Sequence, residues 1–156
     1  MIFRHLHKLS VFIRVHLWPI FMLKSELNMT NIFAENILQG KVAFVTGGGT
    51  GITGGVARSF AEHGAKIAIT SRKTENLEAM KKVIEDGGGE CLAIAADVRD
   101  FDAVQNAIAQ TVEHYGKIDI VVNGAAGNFR CAANELSPNG FGTVVDIDTK
   151  GTFNVC

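Results

Sequence analysis

Four short stretches carry residue types at spacings suited to holding a nucleotide. "TGGGTGITGG", Thr46 to Gly55, follows an apolar run and opens a helical pattern. Glycines at such a point let backbone amides approach a pyrophosphate, and a helix N-terminus adds partial positive charge. An ordinary turn is the alternative, but the setting between a buried strand and an amphipathic helix favours a dinucleotide. "TSRK", Thr70 to Lys73, closes the next apolar run. Binders of NAD place Asp or Glu there for the ribose 2′-hydroxyl. Here there is no acid, and Arg72 and Lys73 can pair with a 2′-phosphate, so NADP(H) is the expected cofactor. Solvated charges opening a helix are the bland alternative. Asp97 in "ADVR" closes a third run, a place where an acid more often meets an adenine than solvent alone. "NGAAG", Asn123 to Gly127, ends a fourth, and small residues such as Ala125 let backbone pass close to a ribose or nicotinamide; a plain loop is the other possibility.

These stretches need a scaffold, and the intervening chain supplies one. "VAFVT" (42 to 46), "KIAIT" (66 to 70), "CLAIAAD" (91 to 97) and "IDIVVN" (118 to 123) are continuous apolar runs rich in Val and Ile. Continuous rather than alternating hydrophobicity predicts strands covered on both faces, as in a parallel sheet. Helical patterns lie between them. Val56 and Phe60 share a face and Gly64 ends their helix. Thr74 is the expected N-cap of a helix that buries Leu77, Met80 and Ile84 and stops at Gly87 to Gly89. Asp100 caps a third helix with Val104, Ile108 and Val112 on its inner face. Ser137 and Pro138 start a fourth, which carries Phe141, Val144, Val145 and Ile147. Strand alternating with helix predicts a doubly wound α/β sheet, with ligands at the carboxyl ends of its strands.

Composition narrows the function classes. The 156 residues are 47% hydrophobic and 20% charged, which fits one globular domain with a real core. Fifteen basic and 16 acidic residues give a formal net charge of -1, so no global field points to nucleic acid or to an anionic membrane. Cys91, Cys131 and Cys156 are far apart and form neither a CxxC nor a metal-binding spacing, so packing roles in a reducing compartment are expected, with no metal. His63 and His114 fall near predicted helix ends, where a histidine usually meets exposed carbonyls.

Residues 1 to 28 differ in character from the rest of the chain. Arg4, Lys8, Arg14 and Lys24 interrupt the apolar residues and no acid precedes Glu26. That argues against a spanning helix. A mitochondrial presequence is one explanation, although Ser10 and Ser25 are its only serines, and an upstream extension with Met29 as the ordinary start is the other. The segment is set aside from the fold, leaving residues 29 to 156 as a nucleotide-binding domain.

The motifs together resemble the short-chain dehydrogenase/reductase family: "TGGGTGI" for TGxxxGI, "ADV" at the third strand and "NGAAG" for NNAG, over residues 40 to 156. Within it, "AAGNF" (125 to 129), "LSPNGF" (136 to 141) and "DIDTKGTFNV" look like the 2,4-dienoyl-CoA reductases, the peroxisomal form above all. The resemblance implies a Rossmann fold, NADPH-dependent reduction of a 2,4-dienoyl-CoA to a 3-enoyl-CoA, and an oligomer. Hydride would reach the far end of the diene and an enolate would form at the thioester, so donors preorganised at that enolate are what the protein must add. Gly47, Gly48, Gly49, Thr50, Gly51 and Ile52 would hold the pyrophosphate. Arg72, Lys73, Thr74, Glu75 and Asn76 would hold the 2′-phosphate region, Asp97 the adenine, and Asn123 and Ala125 the nicotinamide side. Arg72, Arg99, Phe129, Ser137, Pro138 and Asn139 would line the acyl-CoA side. Arg99 could instead be solvated, Phe129 a core residue, and Ser137 and Asn139 mere helix caps. Peroxisome is the implied compartment, with the mitochondrion as alternative.

Departures from the family pattern also stand out. Thr53 occupies the place of a third glycine that normally permits close helix-to-strand packing, which predicts a shifted loop. Asp148 stands where many family members carry a catalytic asparagine. The resemblance puts the catalytic lysine, its tyrosine or aspartate partner and the substrate loop beyond Cys156, so no catalytic residue is expected within the chain. "DIDTKGTFNVC" then reads as the middle of a buried helix, in a sheet truncated after its fourth strand and helix.

Overall fold

The computed structural model describes residues 33–156, nearly all of them in the unit Glu35–Cys156. The expectations for residues 1 to 28 lie outside the described residues. Strands β1 (Val42–Thr46), β2 (Lys66–Ser71), β3 (Cys91–Ala95) and β4 (Ile120–Asn123) form one parallel sheet in the order β3-β2-β1-β4. Helices α1 (Gly51–Glu62), α2 (Thr74–Asp86) and α3 (Phe101–Tyr115) connect them. A short 3-10 turn at Ala133–Glu135 precedes α4 (Pro138–Val145), a π turn at Asp146–Lys150 and α5 (Gly151–Val155).

Register explains how sequence-distant stretches meet. Thr46 pairs with Thr70 on one side and Asn123 on the other, while Ser71 pairs with Ala95. All four strands therefore end along one edge, and the four stretches at their ends share it. The chain runs from β1 outward through β2 to β3, then returns to place β4 on the opposite side of β1. That reversal opens a crevice between the loops after β1 and β4, the place where such sheets take ligands.

Burial follows the strand order. Central β1 is buried at every position, and β2 from Ile67 to Thr70, whereas edge strand β4 is only partly covered. Ala43, Val45, Ile67 and Ile69 face α1 and α2 through Ala57, Leu77 and Ile84. Phe44, Ala68 and Ile94 face the other way, onto Val104, Ala107, Ile147 and Val155. Alternate residues of one strand thus feed two cores, which is why the runs read as continuously apolar.

Two expected caps form. Asp100 accepts from the Ala103 amide at 3.1 Å and Ser137 from the Gly140 amide at 3.0 Å, with Pro138 as the first helical residue. At α2 the cap is one residue earlier than expected: Lys73 is the N-cap, Thr74 already belongs to the helix, and no side chain caps it. The inner face of α3 also differs. Val104, Ala107 and Thr111 are buried whereas Val112 is exposed, because small residues let the helix sit closer along that column. His63 meets the carbonyl of Ser59 at 2.7 Å, as expected near the end of α1.

The closing stretch is buried on one face only. Ile147, Gly151, Asn154 and Val155 are buried, but Phe141 and Phe153 are exposed. A Cβ on Gly151 would lie 2.6 Å from Val98 Cγ2, and the Asn154 amide donates to the Val98 carbonyl at 2.8 Å. Cys91 is buried, and burial pushes its thiol up to about 12. Cys131 and Cys156 are exposed, so the packing role expected of all three cysteines holds for one. Among the described residues no helix is long and apolar enough to cross a membrane.

Candidate functional site

The crevice is a cleft of about 370 Å³ at the carboxyl edge of the sheet. Each of the four stretches contributes to its wall, Gly47, Gly49 and Thr50, then Arg72 and Lys73, then Asp97, then Ala125, and Asn76 joins them from the first turn of α2. The strand register brings the four stretches together, and α2 adds Asn76.

The loop after β1 is held against protein rather than standing free. Gly47 has φ +68, and its amide donates to the Thr70 carbonyl at 2.8 Å. A Cβ on Gly48 would lie 2.7 Å from Ile69 Cγ2, and one on Gly49 would lie 3.2 Å from Asn76 Cβ. The absence of side chains there serves close packing on β2 and α2, a reason the sequence expectation of ligand approach does not contain. Gly51 is different: with φ +62 and nothing within 4 Å of its missing Cβ, it leaves open space at the start of α1.

The N-terminus of α1 suits an anion. Thr50 is the N-cap but its side chain makes no capping hydrogen bond, and no acid lies in the first turn. The first-turn amides and the helix dipole are therefore directed at whatever lies beyond the helix end.

Charge is arranged along the opposite wall. Arg72 and Lys73 are exposed at the end of β2. The Asp97 carboxylate accepts from the Arg99 backbone amide and from its guanidinium Nε, each at 3.0 Å, and from Nη2. The Arg99 hydrogen bond holds the Asp97 carboxyl below its ordinary range, with Arg72 adding a smaller pull in the same direction. Asp97 thus stays ionised, and Arg99 is committed to it rather than to the cleft wall.

Thr70 supplies a test of fit for a bound group. Its Oγ1 is buried without a hydrogen-bond partner, and the residue lines the cleft. A buried hydroxyl with no partner costs about 1–3 kcal/mol. Thr70→Val is accordingly expected to stabilise the ligand-free protein by about 1 kcal/mol, seen as a higher urea midpoint with an unchanged slope. A lower midpoint would mean that the hydroxyl is already satisfied.

Other expected site residues lie elsewhere. Gly48, Gly51, Ile52, Thr74, Glu75 and Asn123 are outside the cleft wall; Ile52 is 88% exposed, and Asn123 donates to Cys156 Sγ at 3.4 Å. Phe129 is exposed rather than in the core and sits beside Gly140 at the start of α4, together with Ser137, Pro138 and Asn139. These four make a separate cluster, in which Ser137 acts as a cap and the backbone carbonyl of Asn139 accepts from Thr143.

Several residues to which the sequence reading gives no site role complete the wall, among them Ser71, Val98, Gly124, Ala126 and Ile147. Ile147 was legible only as an apolar residue of the fourth helix and Val98 only as part of "ADV", and nothing local ties either to the loops. Thr46 Oγ1 accepts from the amides of Gly124 and Ala125 at 3.1 and 3.2 Å, fixing the loop after β4. Farther along that loop, Asp148 Oδ1 accepts from the Gly127 amide at 3.0 Å. Asp148 belongs to the π turn, a distortion that frequently marks functional sites.

Known proteins are similar to this chain in sequence and in fold. The family model described as short chain dehydrogenase matches residues 41–156. Peroxisomal 2,4-dienoyl-CoA reductase [(3E)-enoyl-CoA-producing] of Rattus norvegicus is 50% identical over 126 residues, 80% of this chain and 43% of the relative. The 3-ketoacyl-(acyl-carrier-protein) reductase of Brucella melitensis, solved in complex with NADH, superposes with a TM-score of 0.70 at 34% identity, covering 76% of this chain and 48% of that one. An actinorhodin polyketide ketoreductase, solved with NADPH, gives 0.71 at 31% identity, covering 74% and 44%. The chain spans less than half the length of these relatives. Its sheet order, its cleft and the match over residues 41–156 place the chain in the short-chain dehydrogenase family.

Proposed function

We propose that this chain forms the NADP(H)-binding part of an enzyme that reduces 2,4-dienoyl-CoA to 3-enoyl-CoA. The observation that carries the cofactor choice is the pair Arg72 and Lys73 beside the cleft, at the end of a strand that offers no acid to a ribose 2′-hydroxyl. The substrate choice is supported by the rat relative's name and by its 50% identity.

NADPH, when bound, supplies the hydride. The chain's own residues bind and orient it. The amides of the Gly47 to Ile52 loop and the α1 N-terminus take the pyrophosphate. Arg72, Lys73 and Asn76 take the 2′-phosphate, with Thr74 and Glu75 in the adjoining first turn of α2. Asp97, fixed by Arg99, accepts from the adenine amine. Ala125 and Asn123 leave backbone close to the nicotinamide side. Phe129 offers an apolar wall to a polyunsaturated acyl chain, and Ser137, Pro138 and Asn139 border the same entrance. Asp148 holds the Gly127 amide and so keeps the loop after β4 in place. The peroxisomal names of relatives support that compartment, and an oligomer accords with the family resemblance.

The test is a fluorescence titration of the chain with NADPH and with NADH, joined to NADPH consumption by the full gene product with a 2,4-dienoyl-CoA and with a trans-2-enoyl-CoA. NADPH is expected to bind at least about tenfold tighter than NADH, a charge-assisted contact being worth about 1.5–3 kcal/mol. The dienoyl thioester is expected to be the better substrate. Preference for the 2-enoyl thioester would overturn the substrate and keep the cofactor.

A further inference from the structure

Thr53 looks in sequence like a defect in a glycine loop, and the structure gives it a specific job. Its Oγ1 donates to the Gly47 carbonyl at 2.7 Å, closing α1 back onto the first residue of the loop. Its methyl group points the other way, onto the loop after β4. A Cβ built on Gly124 would lie 1.8 Å from Thr53 Cγ2 and 2.9 Å from Thr53 Cβ, so no residue larger than glycine fits there while Thr53 stays. Gly47 completes the contact: its own Cβ would lie 2.6 Å from the Gly124 carbonyl oxygen.

From this interlock we infer that Thr53, Gly124 and Gly47 form a clasp that sets the separation of the two loops walling the cleft, with Thr53 as its positioning residue. All three line the cleft, and the clasp spans the point where the strand order reverses. A side chain at position 53 would crowd a side chain at 124. Here the space has been given to 53 and withdrawn from 124. The two halves of the Thr53 side chain act separately: the hydroxyl fixes Gly47, and the methyl sets the distance to Gly124. Whatever bridges the two loops feels both. The ligand assignment rests on the dinucleotide proposed above, but the clasp itself does not.

The experiment is a double-mutant cycle on the chain, read by NADPH affinity and by melting temperature. Gly124→Ala alone is expected to weaken NADPH about tenfold and to lower the melting temperature, since overpacking against Thr53 must move one loop. Thr53→Gly alone loses the clasp and a helical residue. In the double variant Thr53→Gly, Gly124→Ala the clash is gone, the next contact being the Thr46 carbonyl at 3.1 Å. Its affinity is expected to be at least about fivefold better than the product of the two single losses predicts. Single losses that simply multiply would overturn the clasp. Thr53→Val, which keeps a methyl and removes only the hydroxyl, is expected to bind NADPH about fivefold more weakly than the parent. Affinity of Thr53→Val equal to that of the parent would remove Gly47 from the clasp. If the chain takes no NADPH at all, the dinucleotide assignment fails, and the same cycle in melting temperature still decides the clasp by coupling or its absence.

Discussion

Arg72→Asp is expected to weaken NADPH binding about a hundredfold while changing NADH binding no more than about threefold. The two cofactors differ only in the 2′-phosphate, so the ratio of the losses isolates that group. Arg72 lies on the cleft wall with Lys73 and Asn76, and no carboxylate precedes it in β2. A charge-assisted pair of this kind is worth about 1.5–3 kcal/mol, and an aspartate in its place adds repulsion. A second effect shows only at low pH: Arg72 helps to hold the Asp97 carboxyl below its ordinary range, after the larger contribution of Arg99. Replacing it with an acid raises that carboxyl towards the ordinary value. Any contact that needs ionised Asp97 is present above the ordinary carboxylate range and is lost as pH falls through the lowered value, so in the variant the loss begins at higher pH. Near neutrality Asp97 remains ionised in both proteins, which is why NADH binding barely changes. Isothermal titration with both cofactors at neutral pH gives the two ratios. Equal losses would remove the 2′-phosphate from Arg72.

The strands were legible because a parallel sheet covered on both faces leaves an unbroken apolar signal. The boundaries of β1 follow directly from Val42 to Thr46. The signal weakens at the edges: β3 ends at Ala95 rather than Asp97, and β4 starts at Ile120 rather than Ile118, because edge residues pair on one side only. Caps were legible where a side chain of the right length precedes a helix, as at Asp100 and Ser137. The inner column of α3 was not, since Ala107 and Thr111 carry too little hydrophobicity to mark a face although their size lets the helix approach.

The candidate site divides in the same way. Convergence of the four stretches could be read from the alternation of strand and helix. What the sequence conceals is which side chains spend their capacity on one another. Asp97 and Arg99 each invite a ligand role when considered alone, but two residues apart they pair in the structure. Val98 reaches the wall beside Asp97 just after β3, and Ile147 only because the π turn shares a buried cluster with Ile94 and Val98, a contact with no local sign. Glycine is the most deceptive residue type here, because an absent side chain has two meanings: space for a ligand or space already taken by protein.

Gly47 is where those meanings can be separated. Gly47→Ala is expected to destabilise the protein by about 3 kcal/mol, from about 1–2 kcal/mol for the left-handed backbone and about 1–3 kcal/mol for overpacking. Its φ is +68, and the added Cβ would lie 2.6 Å from the Gly124 carbonyl oxygen, 2.8 Å from its carbon and 2.9 Å from the Ala125 nitrogen. Those are backbone atoms, held by the hydrogen bonds of Gly124 and Ala125 to Thr46, so no side chain can swing aside to relieve the contact. Gly55→Ala, in α1, is the matched control. A Cβ there meets nothing within 4 Å, and the helical backbone favours alanine, so that change is expected to stabilise by about 0.5–1 kcal/mol. Urea unfolding of the two variants reads opposite signs from the same chemical change. If Gly47→Ala stays within about 0.5 kcal/mol of the parent, below the cost expected for even one of the two effects, then the loops after β1 and β4 do not touch as described. The crevice between them would then owe its shape to the ligand rather than to the fold.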